Sequence, residues 1–165
     1  MAQTLNYLSE MGMTDYEELA VRTQNTTERC SELDAKIKAS EKRLSEIAVL
    51  KTHIINYIKT REIYAAYRQS GYSKRFLTEH ESEILLHKAA KKAFDGLGVK
   101  KLPTVKKLQN EYAEILAEKK TDYAEYRKLR TEMRQLLTAK ANVDRLLGYD
   151  EAPKQESFFQ QTPVH

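Results

Sequence analysis

Four histidines, one cysteine and ten tyrosines are the residues in this 165-residue chain that could do chemistry. The histidines are His53, His80, His87 and His165. A helical zinc site of the protease kind needs a second histidine four residues after the first, with a glutamate beside it. After His80-Glu81 that position holds Ile84, so the pattern fails. His80, Glu83 and His87 share a helix face at steps of three and four, which offers three ligands and no evident fourth. Exposed or hydrogen-bonded histidines account for them better than a metal does. Gly96-Leu97-Gly98 reads as a helix stop rather than a phosphate cradle. Cys30 falls at an apolar seam position, where a small buried thiol is ordinary, and it has no second cysteine to pair with. No Ser, His and Asp grouping stands out. These residues point to a chain with no catalytic residue, no metal and no cofactor.

The cations give a different signal. Residues 1–50 carry a balance of −3 and residues 108–165 a balance of −1, whereas residues 51–107 hold thirteen basic and five acidic residues, a balance of +8. The candidate binding residues are Arg61, Arg68, Lys74, Arg75, Lys88, Lys91, Lys92, Lys100 and Lys101, together with Tyr72. Tyr57, Tyr64 and Tyr67 lie among them, so aromatic faces sit beside cations. That combination can hold single-stranded nucleic acid by stacking and by phosphate contact. A solvated lysine face over a tyrosine-rich core is an equally good account of the same residues.

The elements that must position these residues are helices. Five glycines and three prolines punctuate the whole chain, apolar residues make up 41% and charged residues 32%, and the mean hydropathy is -0.69. Sheet folds need turns far more often than that. No run of eighteen apolar residues is present, and Met1-Ala2-Gln3-Thr4 has no basic region of the secretory kind. A soluble, cytoplasmic protein with no membrane role and no small-molecule substrate is expected.

Punctuation divides the chain into a short helix over 1–13, a long helix over 14–70, a basic helical insert over 71–103, a second long helix over 104–148 and a disordered tail over 149–165. Capping boxes are read at Thr14-Asp15-Tyr16-Glu17 and at Thr78-Glu79-His80-Glu81, and Pro103 is read as the start of the second long helix. Steps of three and four trace a seam through Leu19, Thr23, Thr26, Cys30, Leu33, Ile37, Ser40, Leu44, Ile47, Lys51, Ile54 and Ile58. A second seam runs through Val105, Leu108, Tyr112, Ile115, Lys119, Asp122, Tyr126, Leu129, Met133, Leu136, Lys140, Val143 and Leu147. The fold class is therefore all-α: an elongated antiparallel helical hairpin of coiled-coil type, with a small three-helix head at its tip. The apolar residues of 47–67 on more than one face need a cover, which the helix of Ile84, Leu85, Leu86, Ala90 and Phe94 would supply. A homodimer is a candidate assembly.

Several strings carry a resemblance. His53-Ile54-Ile55-Asn56-Tyr57, Tyr67-Arg68, Gly71-Tyr72-Ser73-Lys74, the run from Leu85 to Phe94, Leu102-Pro103-Thr104-Val105 and the run from Thr138 to Gly148 resemble the C-terminal half of conjugative relaxases of gut Firmicutes mobile elements. The likeness spans roughly residues 1 to 148. Relaxases of this kind nick a transfer origin with a tyrosine and a histidine-held metal, and a coupling ATPase leads the strand to a secretion channel. The resemblance thus implies an accessory region whose partners are single-stranded DNA, the relaxosome or the coupling protein. The nuclease motif is missing: no His-x-His pair occurs, so no catalytic residue is carried over. Met1 is expected to be an interior methionine of such a longer protein. The alternative is a structural coiled-coil module, for oligomerisation or spacing, with no nucleic-acid role.

A proline placed at Leu44 or Leu129 interrupts a seam interior and is expected to cost about 3 kcal/mol or more. Circular dichroism melting of either variant checks this.

Overall fold

The computed structural model describes residues 2–13, 15–98 and 100–149. Every regular element among them is helical: α1 (Ala2–Glu10), α2 (Tyr16–Gln69), α3 (Lys74–Glu79), α4 (Glu81–Gly96) and α5 (Val105–Leu147). The all-α reading holds, with α2 and α5 packed as an antiparallel pair. No helix is long and apolar enough to cross a membrane. The chain divides into two compact units, Met1–Glu32 with Glu125–His165, and Leu33–Ala124.

In the first unit α1 ends where Gly12 takes φ +66. Gly12 donates its N–H to the Ser9 carbonyl at 3.1 Å and Met13 to the Leu8 carbonyl at 2.9 Å, the paired closure of a glycine-terminated helix. Met13 then joins Leu19, Leu136 and Ala139 in a buried cluster, with Tyr7, Leu8, Met11 and Val143 against it. Asp15 caps α2 by accepting the Glu17 N–H at 3.1 Å. Thr14, the expected capping residue, lies outside the described residues, as does the expected tail from residue 150 onward.

Each step forward along α2 in this unit meets a step back along α5. Tyr16 donates its hydroxyl to Asp144 at 2.6 Å, Arg22 pairs with Glu132 at 3.0 Å and Arg29 with Glu125 at 3.1 Å. Asp144 also takes the Lys140 ammonium at 2.7 Å, and these two bonds, Lys140's first, hold its carboxyl below the usual range. Thr23 and Thr26 are buried seam residues, and Thr23 satisfies its hydroxyl on the Leu19 carbonyl at 2.6 Å. Burial pushes the Cys30 thiol up, as an inert seam residue requires.

The second unit repeats the antiparallel pairing through Lys36–Asp122 at 2.9 Å, Glu41–Lys119 at 2.9 Å and Arg43–Glu111 at 2.8 Å. Asp122 is only 7% exposed, and Lys36 reaches both its oxygens, so the buried carboxylate has its counter-charge. The core joins Ile47, Leu50 and Ile54 of α2, Ala90 and Phe94 of α4, and Leu108 of α5.

Here the observed burial departs from the expected seam. Leu50 is buried where Lys51 was expected, burial continues through Ile54, Thr60 and Tyr67, and Ile58 is 61% exposed. Two successive steps of three, Leu44 to Ile47 to Leu50, rotate the stripe. A strict seven-residue repeat suits one partner helix, and at this point α4 adds a second. On α4 the buried side chains are Ile84, His87, Ala90 and Phe94, whereas Leu85 and Leu86, expected in the cover, are exposed. On α5 Leu108, Asp122 and Leu136 are buried as expected, Ala139 joins them, and Tyr112 and Leu147 are exposed.

Two helix starts also differ. Thr78 lies inside α3 and donates its hydroxyl to the Lys74 carbonyl at 2.9 Å, so it caps nothing. Ser73 caps α3 instead, and α4 starts after His80 without a side-chain cap, its first turn carrying Glu81 and Glu83 against the helix dipole. The cap of α5 is Thr104, whose hydroxyl accepts the Lys107 N–H at 3.1 Å, with Pro103 just before it.

The rotated stripe makes a direct prediction. Ile54→Ala is expected to cost about 2–5 kcal/mol, while Ile58→Ala stays within about 0.5 kcal/mol. Urea unfolding of the two variants measures both. A larger loss at Ile58 than at Ile54 would restore the seven-residue phase.

Candidate nucleic-acid interface

All ten candidate residues lie in the second unit, and the end of α2 organises half of them. Gly71, at φ +67, donates to the Arg68 carbonyl at 3.1 Å, and Tyr72 donates to the Tyr67 carbonyl at 3.1 Å. This closure normally brings the residue after the glycine back onto the last helical turn. Tyr72 does so, its ring perpendicular to that of Tyr67 at 5.3 Å. Ser70 ties the turn further, donating to the Tyr67 carbonyl at 2.6 Å and accepting the Ser73 N–H at 3.2 Å. Tyr72 itself takes φ +60, a left-handed conformation that costs a side-chain-bearing residue about 1–2 kcal/mol.

From Tyr67 a series of ring contacts runs in two directions. Phe76 of α3 stacks on Tyr67 at 6.1 Å and meets His80 at 4.6 Å. The other way, Tyr64 lies 6.1 Å from Tyr67 and stacks on His87 at 4.2 Å, and Tyr57 covers the opposite side of the cluster, 4.7 Å from His87 and 5.7 Å from Phe94. Thr60 donates its hydroxyl to the Asn56 carbonyl at 2.7 Å, which leaves a lone pair for His87 Nδ1 at 3.0 Å. In the neutral ring the proton therefore sits on Nδ1. His87 is 4% exposed, and burial first, the Lys91 charge second, hold its pKa below the ordinary 6.5. His80 and His87 thus serve different ring contacts, and no group of three or more His, Cys, Asp or Glu side chains converges as a metal site among the described residues.

The cations are arranged around this aromatic cluster. Lys88 places its ammonium 5.9 Å from the Tyr67 ring centre, a cation–π contact. Arg68 and Tyr72, with Ala65 and Gln69, line a surface hollow of about 420 Å³. Lys74 and Arg75 open α3, Arg75 pairing with Glu79 at 3.0 Å. Arg61, Lys91 and Lys92 are exposed on α2 and α4. Lys100 and Lys101 are exposed beyond the far end of α4, a helix whose sixteen residues span about 24 Å. Tyr72 and Lys88 thus meet on the Tyr67 ring and Arg68 shares the hollow with Tyr72, while Lys100 and Lys101 lie beyond the other end of α4.

Thr60 and Phe76 have no place in the sequence reading, which weighs His87 as a metal ligand or a hydrogen-bonded histidine and gives it no aromatic neighbours. The spacing of Tyr57, Thr60, Tyr64 and Tyr67 places them on one helix face; the tyrosines belong to the expected tyrosine-rich core, whereas a seam continued through Ile58 passes Thr60 by. A search of protein-family profiles, of curated proteins and of solved structures found no match to this chain.

Because the fold lowers the pKa of His87, the unfolded chain takes up its proton first as the pH drops. The stability that neutral His87 contributes is fully present above about pH 6.5 and is lost as the pH falls toward its lowered native pKa. Thermal melts from about pH 7.5 to about pH 5, across the ordinary histidine range, should show a falling midpoint, and His87→Phe should flatten that fall. An unchanged slope in the variant would remove His87 as its source.

Proposed function

We propose that the chain is a non-catalytic accessory region of a conjugative relaxase, which engages nucleic-acid phosphates through the basic surface of α2, α3 and α4 during plasmid or transposon mobilisation. The observation that carries this reading is a contrast in how cations are used. Along the α2–α5 pairing, Arg22, Arg29, Lys36, Arg43 and Lys119 each pair with a carboxylate on the facing helix. Within 51–107 the one ion pair among the described residues is Arg75–Glu79. Arg61, Arg68, Lys74, Lys88, Lys91, Lys92, Lys100 and Lys101 are exposed, with no ion pair to a carboxylate there. Concentrated like charge of this kind repels itself and attracts a polyanion. A helical spacer has no use for it.

The setting in mobilisation rests on the relaxase-like strings, and the non-catalytic role on the absence of a His-x-His pair from the sequence. An acidic face of the transfer machinery is the competing partner for the same cations.

Phosphate binding of this type is salt-dependent and weakly selective for sequence. With about four to six phosphates neutralised, the log–log salt slope on a single strand should lie near −3 to −4. Replacing Lys88, Lys91 and Lys92 together by glutamine should flatten the slope by about 2 and leave helicity unchanged. An affinity no tighter than that of an equally basic, unrelated helix bundle, unmoved by the triple substitution, would favour the protein partner or the spacer.

A further inference from the structure

We infer that Tyr72 and Arg68 form a seat for one unpaired base, so that the basic surface takes single-stranded nucleic acid in preference to duplex; this rests on the phosphate-binding reading above. Four features of the α2–α3 turn meet at this point. Tyr72 is 56% exposed, whereas Tyr67, the ring it packs on, is buried. Its left-handed backbone is a conformation in which glycine would be unstrained, so the turn holds a large aromatic side chain at an energetic cost. The ring packs perpendicular to that of Tyr67, and the Tyr72 N–H bond to the Tyr67 carbonyl holds the backbone from which it projects. The exposed ring also borders the hollow of about 420 Å³ that it shares with Arg68, a cation with no ion pair among the described residues.

A flat ligand entering that hollow meets an aromatic ring and a guanidinium, and the guanidinium can stack on a base or hold its phosphate. Lys88, on the same Tyr67 ring, and Lys74, two residues beyond Tyr72, supply charge for neighbouring phosphates. Bases inside a duplex have both faces covered by their neighbours, and only an unpaired base can offer one to Tyr72. The ligand class is therefore a single strand carrying bases, and a negatively charged backbone alone would leave the ring unused.

The test compares, by fluorescence anisotropy on the full chain, a labelled oligothymidine, an abasic phosphodiester strand of the same length and a duplex of the same length. Oligothymidine should bind roughly 5- to 150-fold more tightly than the abasic strand, the range expected for one base stacked on an aromatic side chain. Tyr72→Gly, which the left-handed backbone accommodates, should remove that ratio without altering the salt slope, and Tyr72→Phe should keep it. Equal affinity for oligothymidine and the abasic strand in the unaltered protein would overturn the stacking seat while leaving the phosphate reading intact. The same holds for tighter binding of the duplex. Failure of all three probes to bind would overturn both.

Discussion

A helix cannot cover its own side chains, and in water even good helix formers hold together only marginally until another surface lies against them. α2 runs from Tyr16 to Gln69 without a glycine or proline to end it. Its stability therefore depends on a continuous cover along one stripe. In the first unit Leu136 and Ala139 of α5 and Met13 of the turn after α1 bury Leu19, with Tyr7 and Leu8 of α1 packed against them. In the second, α5 brings Leu108 and α4 brings Ala90 and Phe94 against Ile47, Leu50 and Ile54. The flanking ion pairs are partly exposed and individually weak, and their main effect is on which residues face each other.

The arrival of α4 also creates the aromatic cluster. Once the stripe has turned to Leu50 and Ile54, the next positions on the same face are Tyr57, Thr60, Tyr64 and Tyr67, and α4 sets His87 between the first three. Rings packed at this density fix one another's orientation, and Tyr67 passes that order on to Tyr72, Phe76 and Lys88. The exposed residues of the interface are thus mounted on a buried support. Tyr67 belongs to both, which is why its loss would disturb the cations as well as the core.

Much of this was legible beforehand, for physical reasons that differ from place to place. Helix ends at Gly12 and Gly71 could be read because the left-handed closure favours glycine so strongly. The seam from Leu19 to Ile47 could be read because a single partner helix imposes a simple period. The reading lost phase at Lys51 and Ile58 because a second partner, encoded some thirty residues later, changes which face is covered. Thr78 misled because a capping pattern is equally compatible with a threonine inside a short helix that returns its hydroxyl to the carbonyl one turn back. Exposure of Lys88, Lys91 and Lys92 was evident from their crowding on one short helix, whereas the Tyr57–His87–Tyr64 stack depends on residues of two helices and has no local signature.

The hydroxyl of Thr23 is bound to the carbonyl one turn earlier on its own helix. What Thr23 shows to α5 is consequently its γ methyl group and little else, a shape that valine reproduces. Such a position carries almost no information about which residue of the facing helix belongs opposite it. In that stretch the alignment of the two helices is written in the charges of Arg22 with Glu132 and Arg29 with Glu125. Drift in descendants of this sequence should accordingly exchange threonine and valine at the buried position while holding the half-exposed arginines, the reverse of the usual relation between burial and tolerance.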